Sequence, residues 1–201
     1  PQERLAEELG LTAPKVAATE LMLRVGTEAF GTQIMVWQQI VIVGALMSII
    51  IGAVGAIGQQ NLKRLLAYSS INNVGFILIG LAAGTEQGIA AMLVYLVIYV
   101  SMTLGSFIVL LQLKGRDGDY MESLADIAGL SKSRPALAAT FAIFMFSLAG
   151  IPPLFGFWGK LVVFDAAVAA GLFPLAVIGI AASVIGAYYY LKVVKVMYFD
   201  E

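Results

Sequence analysis

The sequence contains no cysteine and no histidine among its 201 residues. Without cysteine there is no disulfide, no iron–sulfur cluster and no thiolate metal site. The missing histidine removes the usual haem ligand and the commonest zinc ligand, so no metal site is expected. Charge is also scarce: 12 Lys+Arg and 13 Asp+Glu amount to 12% of the residues, about half the roughly 25% of an average soluble domain. The net charge of −1 and the lack of a dense basic run argue against nucleic acid as a partner. The first ten residues, PQERLAEELG, are polar and show no signal peptide. The absent initiator Met leads us to expect a fragment or processed product.

What is abundant is apolar surface. Hydrophobic residues make up 60% of the chain, against roughly 45–50% in soluble domains, and they come in blocks. Residues 34–58 and 89–113 are uncharged runs of 25 each, and about 20 apolar residues suffice to cross a bilayer as a helix. Shorter or poorer spans are read at about 14–30, 65–84 and 174–194. The stretch 136–170 is too long for one plain span, and Gly150, Pro152 and Pro153 sit near its middle. Proline lacks a backbone donor and clashes with the preceding turn, so a helix should break there. Broken backbone at membrane depth persists only where protein or a wet cavity surrounds it. The expected fold is therefore an all-α, polytopic membrane helix bundle of about six segments, one of them interrupted at Gly150–Pro153. It occupies 12–200 and follows a polar segment, 1–11, of unclear origin.

Charges in the connections suggest an orientation. Lys63 and Arg64, then Lys114, Arg116, Lys132 and Arg134, then Lys192 and Lys195 mark alternate ends. The connections near 84–88 and 171–174 carry no Lys or Arg. The positive-inside rule makes the basic ends cytoplasmic, the C-terminal end included. Within the cytoplasmic connection 114–135, Met121, Leu124, Ile127 and Ala128 recur at helical spacing. That predicts a short amphipathic helix at the interface, open to a peripheral partner, or else a solvated connector. Tyr188–Tyr190 with Lys192 and Lys195 read as an aromatic and basic interfacial anchor.

Four charges, Lys15, Glu20, Lys160 and Asp165, lie inside apolar stretches. Burial at mid-bilayer costs roughly 2.5–3.5 kcal/mol on insertion scales, so each is a functional candidate. Lys160 follows the Pro-Pro break by two helical turns, and a lysine in a dry interior can load or release a proton as its surroundings rearrange. The competing reading is a lysine that snorkels or pairs statically. Lys15, after Pro14, is balanced between relay and snorkelling. Glu20 and Arg24 at i,i+4 read as a structural pair, while Asp165 either tunes Lys160 or faces a neighbouring helix. Ser69, Ser70, Asn72 and Asn73, and the stripe Tyr95, Tyr99 and Thr103, are candidates for a polar path, with bonding or packing between helices the more economical reading.

Three stretches, APKVAA (13–18), NLKRLLAYSSINNVGF (61–76) and FSLAGIPPLFGFWGK (146–160), resemble the antiporter-like membrane subunits of proton-pumping NADH:quinone oxidoreductase, respiratory complex I. The N-type subunit is the most similar of these, and the resemblance covers about residues 12–200. It implies two inverted five-helix repeats, each with a broken helix, within fourteen spans, of which this chain supplies the last helix of the first repeat and the whole of the second. It also implies that Lys15 bridges two half-channels and that Lys160 is the lysine of the second broken helix, both relaying protons. NADH, FMN, iron–sulfur clusters and quinone are then expected only in the wider complex, with none bound by this chain. The implied partners are other membrane subunits, neighbouring antiporter-like ones among them, and the lipid of a bacterial inner membrane. Stand-alone cation/proton antiporters share this fold and remain an alternative, as does a non-pumping structural fragment. Asn73 stands where many relatives carry histidine, and Thr19 and Glu20 where apolar residues are usual.

Overall fold

The computed structural model describes residues 13–14, 16–24, 34–114 and 120–200. Lys15, the polar segment 1–11 and residues 25–30 of the span read at 14–30 lie outside these residues. Residues 16–24 are helical (α1). The remaining helices are α2 (Ile34–Ile57), α3 (Leu62–Ala82), α4 (Glu86–Gln112), α5 (Leu130–Ser133), α6 (Pro135–Ala149), α7 (Phe155–Ala169) and α8 (Phe173–Phe199). Four of them, α2, α3, α4 and α8, are long and apolar enough to cross a membrane.

Local chemistry explains the boundaries. The Asn61 side chain accepts from the Arg64 N–H at 3.1 Å, which starts α3 three residues before the expected position. Thr85 does the same for α4, accepting from the Gly88 N–H at 3.0 Å, and Glu86 in the first turn suits the positive end of the helix dipole. Asn61→Ala should lower stability by about 1 kcal/mol through loss of this cap. An earlier thermal unfolding midpoint of the purified protein would register it.

α3 sits at the centre of the bundle, packed by α2, α4, α7 and α8. It is the most buried span, whereas α2 and α8 leave Ile40, Val54, Val177 and Val184 about two-thirds exposed, the apolar dress of a lipid-facing wall. α2 and α3 meet through glycine. A Cβ on Gly52 would lie 2.4 Å from the Asn72 backbone N, and one on Gly75 would lie 2.9 Å from the Ala45 O. The two backbones approach this closely because neither position carries a side chain.

The connection 114–135 departs from expectation. Its described part forms a 3-10 turn, Ala125–Ile127, and the single-turn α5, divided by Gly129 in the left-handed region (φ 63°). Its backbone is tied to the start of α3, with Leu62 N–H donating to Glu122 O at 2.7 Å and Leu124 N–H to Gln60 O at 2.8 Å. Lys63 pairs with Glu122 at 2.9 Å. Leu124, Ile127 and Leu130 are buried in the bundle. Their periodic apolar spacing therefore serves packing against the protein, and no free amphipathic face remains among the described residues. The ties also bring the basic connections 59–66 and 114–135 to one end of the bundle, where Gly129 approaches Asp200 after the last helix.

Candidate functional site

The site begins with an accounting of carbonyl groups. The last four carbonyls of a helix have no partner within it. At the end of α6, Gly150 adopts φ 87°. Its N–H donates to Ser147 O at 3.0 Å, while the Ile151 N–H donates to Phe146 O at 3.1 Å, a Schellman-type ending. Two carbonyls remain, Leu148 and Ala149, and both accept from Lys160 Nζ, at 3.0 and 3.3 Å. The ammonium's third bond goes to Ser183 Oγ on α8, at 3.0 Å. Three N–H donors thus meet three neutral acceptors.

Lys160 lies in the second turn of α7 and is only 6% exposed. It reaches back to the C-terminal end of α6, the negative end of that helix's dipole, and so the break itself supplies the favourable field. Nζ also stands 4.9 Å from the centroid of the Phe76 ring on α3. Among the described residues, no carboxylate lies within ion-pair distance of it. α7 can start this close to α6 because of Gly156, whose N–H donates to Ser147 Oγ at 3.1 Å. Pro152 and Pro153, in the break, are exposed.

A buried polar cluster occupies the adjoining turns of α3, α4 and α8. Tyr95 OH donates to Asn73 Oδ1 at 2.6 Å, and Asn73 Nδ2 donates to Tyr190 OH at 3.1 Å and to Ser69 O at 2.8 Å. Tyr190 OH and Ser69 Oγ are hydrogen-bonded to each other. Asn72 Nδ2 donates to Tyr189 OH at 3.0 Å, and Tyr99 OH donates to Ser70 Oγ at 2.7 Å. Thr103, one turn beyond Tyr99, is buried on the same stripe. All seven candidates for a polar path are therefore buried in one region. Six of them make bonds between helices there, the more economical of the two sequence readings for the Ser/Asn group.

The other charged candidates lie elsewhere. Asp165 is exposed and accepts from Gln87 Nε2 on α4 at 3.1 Å, so it faces a neighbouring helix. Glu20 and Arg24 pair at 3.2 Å, both more than half exposed. No group of His, Cys, Asp or Glu capable of holding a metal occurs among the described residues.

Four residues of the site carry either a misleading signal in the sequence or none. The sequence places Tyr189 and Tyr190 in an interfacial anchor, yet they are 0% and 1% exposed and belong to the cluster; Tyr188 alone of the three is exposed. Lys192 and Lys195 follow Tyr190 by about half a turn and one and a half turns of α8. Ser183 and Phe76 gave no signal of their own, one a lone hydroxyl and the other an ordinary core ring.

Comparison with known proteins agrees with this architecture. Residues 9–186 match the family described as NADH:quinone oxidoreductase/Mrp antiporter, TM. NADH-quinone oxidoreductase subunit N of Rhizorhabdus wittichii is 64% identical over 190 residues, covering 94% of this chain and 40% of that protein. The subunit N of Erythrobacter litoralis is 67% identical, covering 94% and 39%. The chain thus spans about two-fifths of the length of these curated relatives. Among solved structures, a chain of respiratory complex I from Thermus thermophilus with bound aureothin superposes with a TM-score of 0.71 at 35% identity, covering 80% of this chain and 36% of that one. A chain of the Mrp complex from a Dietzia species reaches a TM-score of 0.83 at 27% identity, covering 92% and 34%. With its apolar spanning helices and its helix broken around a buried lysine, the chain is an integral membrane protein that belongs to the NADH:quinone oxidoreductase/Mrp antiporter transmembrane family.

Proposed function

We propose that this chain is the proton-conducting half of a membrane subunit of NADH:quinone oxidoreductase, and that Lys160 relays the proton. The observation that carries the reading is the Lys160 site: a buried ammonium at a helix break, held by Leu148 O, Ala149 O and Ser183 Oγ with no carboxylate partner among the described residues. A static structural lysine is normally neutralised by a counter-charge. One held only by neutral oxygens is poised to lose and regain its proton when those oxygens move. The cluster of Ser69, Asn73, Tyr95 and Tyr190 offers hydroxyls in an adjoining turn for onward transfer. Lys15 is assigned the link to the preceding half-channel, on the resemblance alone.

Redox chemistry belongs to other subunits in this reading. The chain has no cysteine or histidine to hold an iron–sulfur cluster, and NADH, FMN and quinone are handled elsewhere in the assembly. Its neighbours are other membrane subunits, antiporter-like ones included, in a bacterial inner membrane, with the basic connections and the C-terminal end in the cytoplasm. The likeness to an Mrp complex keeps a stand-alone cation/proton antiporter as the second reading. The subunit N relatives, at more than 60% identity, favour the first. Purification of the complete subunit from its native membrane separates the two. Hydrophilic NADH-oxidising subunits should co-purify with it, and their consistent absence would favour the antiporter.

A further inference from the structure

We infer that Phe76 is a positioning residue for the Lys160 relay, its π face holding the ammonium at the helix break and its ring linking that position to the Tyr95–Asn73 hydrogen bond. This rests on the reading of Lys160 as a relay. The three N–H donors of Nζ are already taken by Leu148 O, Ala149 O and Ser183 Oγ. The ring, with its centroid 4.9 Å from Nζ, is therefore no hydrogen-bond acceptor; it contributes the negative face of its quadrupole. That attraction is strongest where water is excluded, and Phe76 is 0% exposed beside a lysine that is 6% exposed.

The ring is not free to turn away. Tyr95 lies at 6.4 Å and 82° to it, and Phe164 at 5.9 Å and 87°. Phe164 is on α7, one turn beyond Lys160, so the helix that carries the ammonium also carries one of the rings bracketing Phe76. Tyr95, the other, donates to Asn73 Oδ1 at 2.6 Å. Asn73 lies three residues before Phe76 on α3. A shift of the ammonium off the ring thus bears on the pair of rings that orients the Tyr95 hydroxyl within the polar cluster. Phe76 thus touches both the lysine and the tyrosine stripe.

Fluorination tests this, because fluorine drains the negative face of a ring while nearly preserving its shape. Phenylalanine, 4-fluoro-, 3,5-difluoro- and 3,4,5-trifluorophenylalanine would be installed in turn at position 76 of the complete subunit within its assembled complex. The same series at Phe141, a fully buried ring on α6 that neither the lysine nor the tyrosine stripe uses, controls for packing. NADH-driven proton transport into proteoliposomes should fall stepwise at position 76, reaching about a tenfold loss with three fluorines. The Phe141 series should stay flat, and NADH oxidation by an artificial acceptor should be unchanged in both. A flat series at position 76, or an equal decline at Phe141, overturns the role of Phe76. Neither result touches the relay reading, which fails only if removal of the Lys160 amine leaves transport intact.

Discussion

Gly156→Ala is expected to prevent stable assembly of the membrane bundle. A Cβ at this position would fall 1.8 Å from the Ser147 carbonyl oxygen and 2.7 Å from its carbon. Both are backbone atoms in the last turn of α6, where no rotamer change offers relief. α7 would have to move off α6 by more than an ångström, breaking the Gly156 N–H bond to Ser147 Oγ. Lys160, one turn further along α7, would be drawn from the two carbonyls and the hydroxyl that hold it. Overpacking of a core typically costs about 1–3 kcal/mol, and a clash with fixed backbone belongs at or above the top of that range. The amount of subunit recovered in assembled complex, read on native gels, should drop to a small fraction of wild type. Recovery at wild-type levels would mean that the break is more pliable than its geometry implies.

Lys160→Met is expected to do the opposite, leaving assembly intact while stopping proton transport. Two energies compete at this site. Removing the ammonium leaves Leu148 O, Ala149 O and Ser183 Oγ without their donor, at about 1–3 kcal/mol for each buried group left unpaired. It also removes the need to bury a charge that has no counter-charge, which costs several kcal/mol. The Ser183 hydroxyl can rotate to another acceptor, and methionine fills most of the lysine's volume with a flexible apolar chain. The terms nearly cancel, so the complex should be present in normal amount. Transport, which needs a titratable nitrogen at this point, should fall about tenfold or more. The contrast between the two substitutions, one turn apart, separates the helix break as architecture from the lysine as chemistry.

The features that were legible in the sequence share a physical trait: each is strong in isolation. Uncharged runs of 25 residues can hardly be other than spans, and the Gly150–Pro153 break follows from missing donors and steric clash whatever surrounds it. Lys160 stood out because a charge in an apolar run is expensive wherever it points. What stayed hidden depends on which face of a helix meets which neighbour. Ser183 lies in an apolar stretch of α8, and only the approach of α7 makes it a partner. Tyr189 and Tyr190 read as an anchor because lysines follow. Yet α8 has 27 residues, about 40 Å of helix, longer than the roughly 30 Å hydrocarbon core. The basic end can therefore reach the interface while the tyrosines stay deep in the bundle. In the 114–135 connection, the apolar spacing of Leu124 and Ile127 is the same whether the surface beneath is lipid or protein. The backbone bonds from Leu62 and Leu124 decide for protein.

The most direct test of a relaying Lys160 is the number of protons moved per NADH oxidised. The complex carrying Lys160→Met in its complete subunit would be reconstituted into proteoliposomes, with acidification and NADH consumption recorded together. A relay at Lys160 predicts normal assembly, normal NADH oxidation by an artificial acceptor, and a proton yield per NADH well below wild type. A yield equal to wild type from a fully assembled complex would contradict it.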